Sequence, residues 1–323
     1  MSKKKQKDNE IRETEKKSSG FLNIFFIVIV VALGVIFYLN FRANQFSHNK
    51  IINHSLVKEG SGLYADTIET GLNPKEPFSS KYYFRGKDVN NYLLLDGKCF
   101  RIINITQKNA LKIMYIGDSN NNTCDNIEEK PLMVKWDENG NNEWETSTIK
   151  KQLENWAEQN NLKNSPYVIQ NATWFIGGVQ FFEGGSLTDD IKKERSSNLN
   201  EKTTYVGVVG LINTSDYLKA NDKPCFEGTF KDIGQCGENN YLNNEKSFWT
   251  MNKTYNDVER VWAVERTLIE IDDKEVETTL LQSKYVTNNK FEAYPVVYLK
   301  ENLILKGKGS TQQPYYIIGD YEK

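Results

Sequence analysis

The residues best suited to recognition chemistry lie in one short polar segment between two tryptophans. Trp136 and Trp144 flank the sequence DENGNNE at 137–143, which offers carboxylate and amide oxygens at close spacing. Exposed aromatic side chains suit contacts with sugars or proteins. We therefore take Trp136, Trp144, Asp137, Asn139 and Asn141 as candidate ligand-binding residues. Burial of both tryptophans in the core is the competing interpretation.

The same segment imitates a calcium-binding loop, but its spacing departs from the EF-hand pattern. That pattern would need Gly at position 142 and Glu at position 148, where Asn142 and Thr148 stand. A calcium ion held by the loop stays open as an alternative. Otherwise the sequence predicts no metal site and no cofactor.

Catalysis by histidine is excluded after residue 60, because the two histidines are His48 and His54. A Ser-His-Asp or Cys-His site is therefore excluded there, and so is an HExxH zinc site. Carboxylate pairs are numerous, but nothing in the sequence distinguishes a catalytic acid/base pair from solvated loop acids.

An uncharged segment at residues 21–39, FLNIFFIVIVVALGVIFYL, decides where the chain resides. A helix that rises about 1.5 Å per residue nearly crosses a hydrocarbon core of ~30 Å over this length. Residues 1–20 hold seven Lys and Arg against four Asp and Glu, whereas residues 40–60 hold three Lys and Arg. The positive-inside rule then predicts a cytoplasmic basic tail at 1–20, a transmembrane signal anchor at 21–40 and an extracellular remainder.

A cleaved signal peptide is the alternative interpretation of this segment. The apolar run is longer than a usual signal-peptide core, and Phe41-Arg42-Ala43 lacks the small residue that a cleavage site needs at position −3. Both observations favour an uncleaved anchor. In either case the bulk of the chain is exported.

The charge balance argues against nucleic-acid binding. The chain has a formal net charge of −2, and the part after residue 20 carries 34 Lys and Arg against 39 Asp and Glu. No stripe of basic residues reverses this balance, so no nucleic-acid partner is expected. The predicted partners are the lipid bilayer, through residues 21–40, and an extracellular glycan or protein.

All four cysteines lie in the part of the chain predicted to be exported. An even number in an oxidising compartment permits disulfides, and four cysteines allow three connectivities. Proximity in sequence favours a Cys99–Cys124 bridge and a Cys225–Cys236 bridge. Free or catalytic thiols are the alternative, although no CxxC motif is present.

Short strands dominate the pattern after a polar stalk at 41–60. Residues 92–95 and 99–103 flank Asp96-Gly97, a dipeptide typical of a type I′ hairpin. One helix is predicted over 147–160, where four apolar residues form a stripe, and a second over 214–220. The apolar stripe consists of Ile149, Leu153, Trp156 and Ala157. Further strands are predicted at 111–116, 205–212, 247–251, 260–271, 277–281, 294–299, 303–305 and 315–318. This mixture indicates an α+β domain.

The chain resembles an uncharacterised surface-domain family of Gram-positive bacteria that opens on "YRG…PNNYV.FNN.LWRII" and closes on "RPVvYLns…GxGTxxNPY". The matching segments are YFRG at 83–86, NNY at 90–92, CFRII at 99–103, WETS at 144–147, TWFIGG at 173–178, YPVVYL at 294–299, GKGST at 307–311 and PY at 314–315. Tyr294 stands where the family usually has Arg.

The resemblance spans roughly residues 61–319 and implies one extracellular domain at 61–323 rather than two. It also implies a C-type-lectin-like fold, related to that of the formylglycine-generating enzymes, but no agreed activity. Together these observations predict one transmembrane helix followed by a mixed, mainly antiparallel β domain. We expect a non-catalytic cell-surface protein that binds an extracellular ligand. An enzyme acting on the cell envelope and an assembly subunit of an envelope complex are the alternatives.

Overall fold

The computed structural model describes residues 23–41, 46–72, 75–130, 132–180, 185–196, 201–221, 239–243, 246–271, 274–287 and 291–320. Helix α1 covers Asn23–Phe41, has a mean hydropathy of 2.8 and buries none of its residues against protein. It is long and apolar enough to cross a membrane, as the sequence predicts.

Part of the predicted stalk instead belongs to the folded domain. Residues Ser47–Ser55 form helix α2, and Ile51 of this helix is completely buried in the core. Phe46, just before α2, bridges to Ile304. The polar sequence predicts a stalk, but Ser47 and Ile51 are buried and Ile52 packs against the core, so α2 is docked on the domain.

Four further helices are short. They are α3 Thr67–Leu72, α4 Thr148–Gln159, α5 Leu187–Arg195 and α6 Thr214–Lys219. The strands are β1 Gly62–Ala65, β2 Ser80–Arg85, β3 Tyr92–Leu95, β4 Lys98–Thr106, β5 Leu111–Asn120, β6 Thr123–Glu128, β7 Leu132–Val134, β8 Ala172–Phe175, β9 Thr204–Gly207, β10 Val209–Gly210, β11 Phe248–Lys253, β12 Arg260–Ile271, β13 Lys274–Tyr285, β14 Phe291–Ala293, β15 Val296–Leu299, β16 Leu303–Lys306 and β17 Tyr315–Asp320.

The strands form two main sheets and a small ribbon. The larger sheet has the order β10-β15-β5-β4-β3-β17-β16, with β2 beside β4, β1 beside β2 and β6 beside β5. The second sheet has the order β13-β12-β11-β14-β7, and β8 pairs with β9. The pairs β3/β17 and β11/β14 are parallel and the others are antiparallel. The prediction of a mixed, mainly antiparallel α+β domain is confirmed.

Local chemistry explains the elements that the sequence predicts best. Asp96 and Gly97 have φ values of 49° and 73°, the positive angles that a type I′ turn between β3 and β4 requires. Helix α4 begins where the Ser147 side chain accepts a hydrogen bond from Lys150 N at 3.3 Å. Its predicted apolar stripe is buried as expected.

Candidate functional site

The two tryptophans predicted to form an exposed rim are core residues. Trp136 is 0% exposed and Trp144 is 2% exposed, with their ring centres 5.6 Å apart. Trp136 also lies 6.1 Å from the ring of Trp249. The alternative interpretation, burial in the core, is therefore the one observed. The reason is that neighbouring aromatic rings of β11 and the 136–144 segment bury each other.

Asp137 also points inward and holds its own loop in shape. One of its carboxylate oxygens, Oδ1, accepts hydrogen bonds from Asn139 N at 2.8 Å and Asn141 N at 3.3 Å. The other, Oδ2, accepts from Thr148 N at 3.3 Å at the start of α4. These bonds to backbone N–H groups account for an acidic residue in this loop without requiring a ligand.

The asparagines of the loop lie nearer the surface. Asn139 is exposed, and Asn141 is half-buried with its side-chain oxygen accepting from Glu143 N at 2.7 Å. Among the described residues no group of three or more His, Cys, Asp or Glu side chains is arranged to hold a metal ion.

An open groove lies next to this loop, between β7 and the first turns of α4. Its volume is about 370 Å³. The groove is lined by Leu132, Met133, Val134, Lys135, Glu138, Thr148 and Gln152. Met133 is 56% exposed at its wall, and Lys135 forms an ion pair of 3.1 Å with Glu138. The lining thus combines three apolar residues of β7 with four polar side chains, those of Lys135, Glu138, Thr148 and Gln152.

The backbone of Met133 in β7 has its hydrogen-bonding groups at the edge of the second sheet. Met133 lies opposite Glu292 in the antiparallel β7/β14 pair, and Glu292 N donates to Ser247 O, away from β7. Opposite residues of an antiparallel pair point their N–H and C=O groups either toward each other or both away. The N–H and C=O groups of Met133 therefore face away from β14, toward the open side of the sheet edge.

A second polar cluster is buried beneath the larger sheet, where α3, α5 and α6 meet. Lys219 Nζ lies 2.9 Å from Asp66 Oδ2 and also contacts Glu69, which in turn contacts Arg195. Burial raises the pKa of Glu69, but the charges of Lys219 and Arg195 outweigh it and bring the value down to about 2. At Asp66, in contrast, burial outweighs the charge of Lys219 and raises the pKa of the carboxyl. The polar groups of the cluster are internally paired.

Glu194 lies beside this cluster and binds the start of α6. It accepts hydrogen bonds from Thr214 Oγ1 at 2.9 Å, Ser215 N at 3.1 Å and Ser215 Oγ at 2.8 Å. Burial raises the pKa of Glu194 to about 7. A serine hydroxyl on a carboxyl with such a pKa has the chemistry of a nucleophile and a base.

The space around Ser215 is too small for a substrate. The cavity that Glu194 and Ser215 line has a volume of about 10 Å³, roughly what one water molecule needs. Lys112 closes another side of it and forms a buried ion pair of 2.6 Å with Asp216. The Glu194–Ser215 hydrogen bond is therefore part of the packed interior.

One predicted disulfide is present. Cys99 and Cys124 are bonded, with Cα atoms 5.8 Å apart, within the range that a bridge requires. The bridge ties β4 to β6. Cys225 and Cys236 lie outside the described residues.

Sequence reasoning missed the residues that line the groove. Met133 belongs to a three-residue strand, which is too short to show a period of two. Gln152 lies on α4 outside the buried stripe, on a face that the apolar pattern does not distinguish. Comparisons with models of protein families, with curated proteins and with solved structures find no match for this chain.

Proposed function

We propose that this chain is a membrane-anchored cell-surface protein whose folded domain binds an extracellular glycan or protein without catalysing a reaction. Helix α1 would be the single transmembrane anchor, with the N-terminus in the cytoplasm and the domain outside. The C-type-lectin-like fold implied by the sequence resemblance belongs to the same proposal.

One contrast between the two polar regions supports a binding function. Glu194 and Glu69, the acids whose shifted pKa values would suit them best to catalysis, are buried, and the cavity beside them has no room for a substrate. The open groove beside β7, by comparison, contains one carboxylate, Glu138, already paired with Lys135. A hydrolytic site needs two converging carboxylates or a nucleophile with its base. The groove offers neither, but it offers apolar contact and backbone hydrogen bonds.

The polar groups of the groove beside β7 would make it selective among ligands. Met133 would provide one backbone donor and one acceptor at the edge of β7, and the amide of Gln152, which also lines the groove, would provide another pair. Such polar groups beside the apolar residues of β7 would orient a bound sugar or peptide. A catalytic site built on the Glu194–Ser215 pair would instead require access to Ser215, which is 3% exposed.

The proposal is tested with the full chain in lipid nanodiscs on arrays of glycans, peptidoglycan fragments and peptides. Two variants alter the groove, Met133→Glu and Gln152→Trp. Their controls are Val258→Glu, which charges a residue 74% exposed elsewhere, and Lys151→Trp, next to Gln152 but outside the lining. We expect both groove variants to lose binding to at least one ligand of the wild type. Both controls should still bind that ligand.

Mass spectrometry of the captured ligand separates binding from catalysis. We expect the ligand to be recovered unchanged after long incubation. A converted product would contradict the non-catalytic function. Equal binding of the ligand to all four variants would contradict the assignment of the binding site to the groove.

A further inference from the structure

The edge of the larger sheet formed by β16 and β17 carries exposed apolar side chains on its outer face. Tyr316 and Ile318 are 42% and 48% exposed, whereas Tyr315, the residue before them in β17, is completely buried. Tyr316 lies opposite Leu94 of β3 on one side and Lys306 of β16 on the other. Leu94 is half-buried and Lys306 is exposed. The apolar side chains therefore adjoin one another rather than being scattered singly over the surface.

A bulge in β17 brings Ile304 of β16 next to the same side chains. Leu305 lies opposite Ile317 and Ile304 lies opposite Gly319, so Ile318 is the extra residue of β17. Ile304 is half-buried, whereas its neighbours on either side in β16 are buried. Because successive side chains of a strand point to opposite faces, Ile304 points away from the core. Ile304, Tyr316 and Ile318 together form what we call the β16–β17 face.

The chain that leaves helix α1 enters the domain at this same edge. Phe46 bridges to Ile304, and four residues, 42–45, separate Phe46 from Phe41 at the end of α1. Consecutive Cα atoms are about 3.8 Å apart, so Phe46 lies within ~19 Å of the end of α1. When α1 spans a bilayer, a headgroup layer of only about 5–7 Å covers the end of the hydrocarbon core. The tether therefore keeps the edge that carries Ile304 close to the membrane surface.

The side chains of the β16–β17 face suit contact with lipid headgroups. A tyrosine ring is amphipathic and is enriched where a membrane meets water. Lys306, opposite Tyr316, can lay its stem along apolar surface and direct its ammonium group to a phosphate. Asp320 ends β17 beyond Ile318, so charged residues lie at both ends of the apolar face. Apolar patches with a polar border mark contacts with proteins or membranes, and the short tether favours the membrane.

We propose that the β16–β17 face lies on the lipid headgroups of the leaflet from which the domain emerges. This contact would hold the domain in one orientation on the bilayer instead of leaving it to turn freely on its tether. The inference rests on the proposed membrane anchoring by α1. It does not depend on the groove beside β7, which involves none of these residues.

Tryptophan fluorescence of the full chain in nanodiscs tests the contact, with lipids brominated at the top of the acyl chain as quenchers. The six native tryptophans are at most 8% exposed, so they give a background that lipid bromines do not reach. Two variants, Tyr316→Trp and Ile318→Trp, place a reporter on the β16–β17 face. We expect brominated lipid to quench both variants more than the wild type.

The matched control is Val258→Trp, which places the reporter at a site 74% exposed between β11 and β12 of the second sheet. Its quenching should equal that of the wild type. A second substitution asks whether the apolar contact holds the reporter at the lipid. In the Tyr316→Trp background, Ile318→Asp should reduce the additional quenching at least twofold, and Val258→Asp should leave it unchanged.

The outcomes separate this contact from the anchor and from a protein partner. A chain that does not enter nanodiscs would contradict the anchor itself. A chain held in nanodiscs with no additional quenching in Tyr316→Trp and Ile318→Trp, or with as much in Val258→Trp, overturns the contact alone. A blue-shifted Tyr316→Trp emission that needs two chains per nanodisc and is insensitive to bromine also overturns it, because a second copy then covers the face. Should the Ile318→Asp variant fail to fold, the three single tryptophan variants still decide the question.

Discussion

Ser215 Oγ donates a hydrogen bond of 2.8 Å to Glu194 Oε2, which joins the last turn of α5 to the first turn of α6. The other carboxylate oxygen accepts from Thr214 Oγ1 and Ser215 N. The first backbone N–H groups of a helix have no partner within the helix. Glu194 therefore caps α6 from a neighbouring helix, and burial raises its pKa to about 7.

Replacing Glu194 by Gln should reduce the pH dependence of stability between about pH 4.5 and 7, with the remainder coming from Asp190, whose pKa burial also raises to about 7. In this window the unfolded chain has an ionised Glu194 while the folded chain keeps it protonated, so the free energy of unfolding falls as pH rises. A pKa of about 7 against an ordinary glutamate value of 4.5 corresponds to about 3 kcal/mol. Chemical denaturation of the full chain in detergent at several pH values measures this slope. Equal slopes for the wild type and the variant would contradict a raised pKa of Glu194 in the folded chain.

The sequence predicted the elements whose signals are local. The hairpin at Asp96-Gly97 depends on two positive φ angles that adjacent residues supply, and α4 depends on a stripe within twelve residues. Helix α5 was missed, because its nine residues LTDDIKKER contain two apolar side chains, Leu187 and Ile191. Such a helix is stabilised by what it packs against, which a local pattern does not report.

The site was harder to predict than the fold, because burial is decided by contacts distant in sequence. The polar loop beside Trp136 looked exposed, but the tryptophan packs on Trp249, more than a hundred residues away. Lys219 and Asp66 likewise form their buried pair across 153 positions of sequence. The sequence around either residue does not predict which distant residue it contacts.

Lys219→Met should destabilise the domain strongly. The substitution leaves Asp66 buried without its cation and removes one of the two cations that contact Glu69. Breaking a buried pair from one side typically costs about 3–5 kcal/mol. Denaturant unfolding of the full chain in detergent gives the value.

The matched control is Lys202→Met. Lys202 pairs with Glu145 at 2.5 Å, but the two side chains are 55% and 48% exposed. Exposed pairs contribute roughly 0–1 kcal/mol. If Lys219→Met lowers the free energy of unfolding as little as Lys202→Met does, the buried cluster does not stabilise the fold.

The double variant Cys99→Ala/Cys124→Ala should lower the free energy of unfolding by about 3 kcal/mol in the chain-entropy model for a bridge of this span. The two cysteines are 25 positions apart and are largely buried, so alanine suits both sites. Leaving Cys225 and Cys236 unchanged avoids the ambiguity of chemical reduction. Unfolding midpoints in oxidising buffer provide the measurement. An unchanged midpoint would mean that the bridge adds no net stability.

The orientation of the chain is testable by protease treatment of intact cells that express it with a tag at each end. Seven basic residues precede the apolar segment, and α1 buries none of its surface in the domain, so the domain is free to lie on the far side of the membrane. We expect the C-terminal tag to be digested and the N-terminal tag to be protected until the cells are opened. A mature protein without its N-terminal tag would instead identify a cleaved signal peptide. A protected C-terminal tag in intact cells would contradict the proposed topology, and with it an extracellular ligand for the groove beside β7.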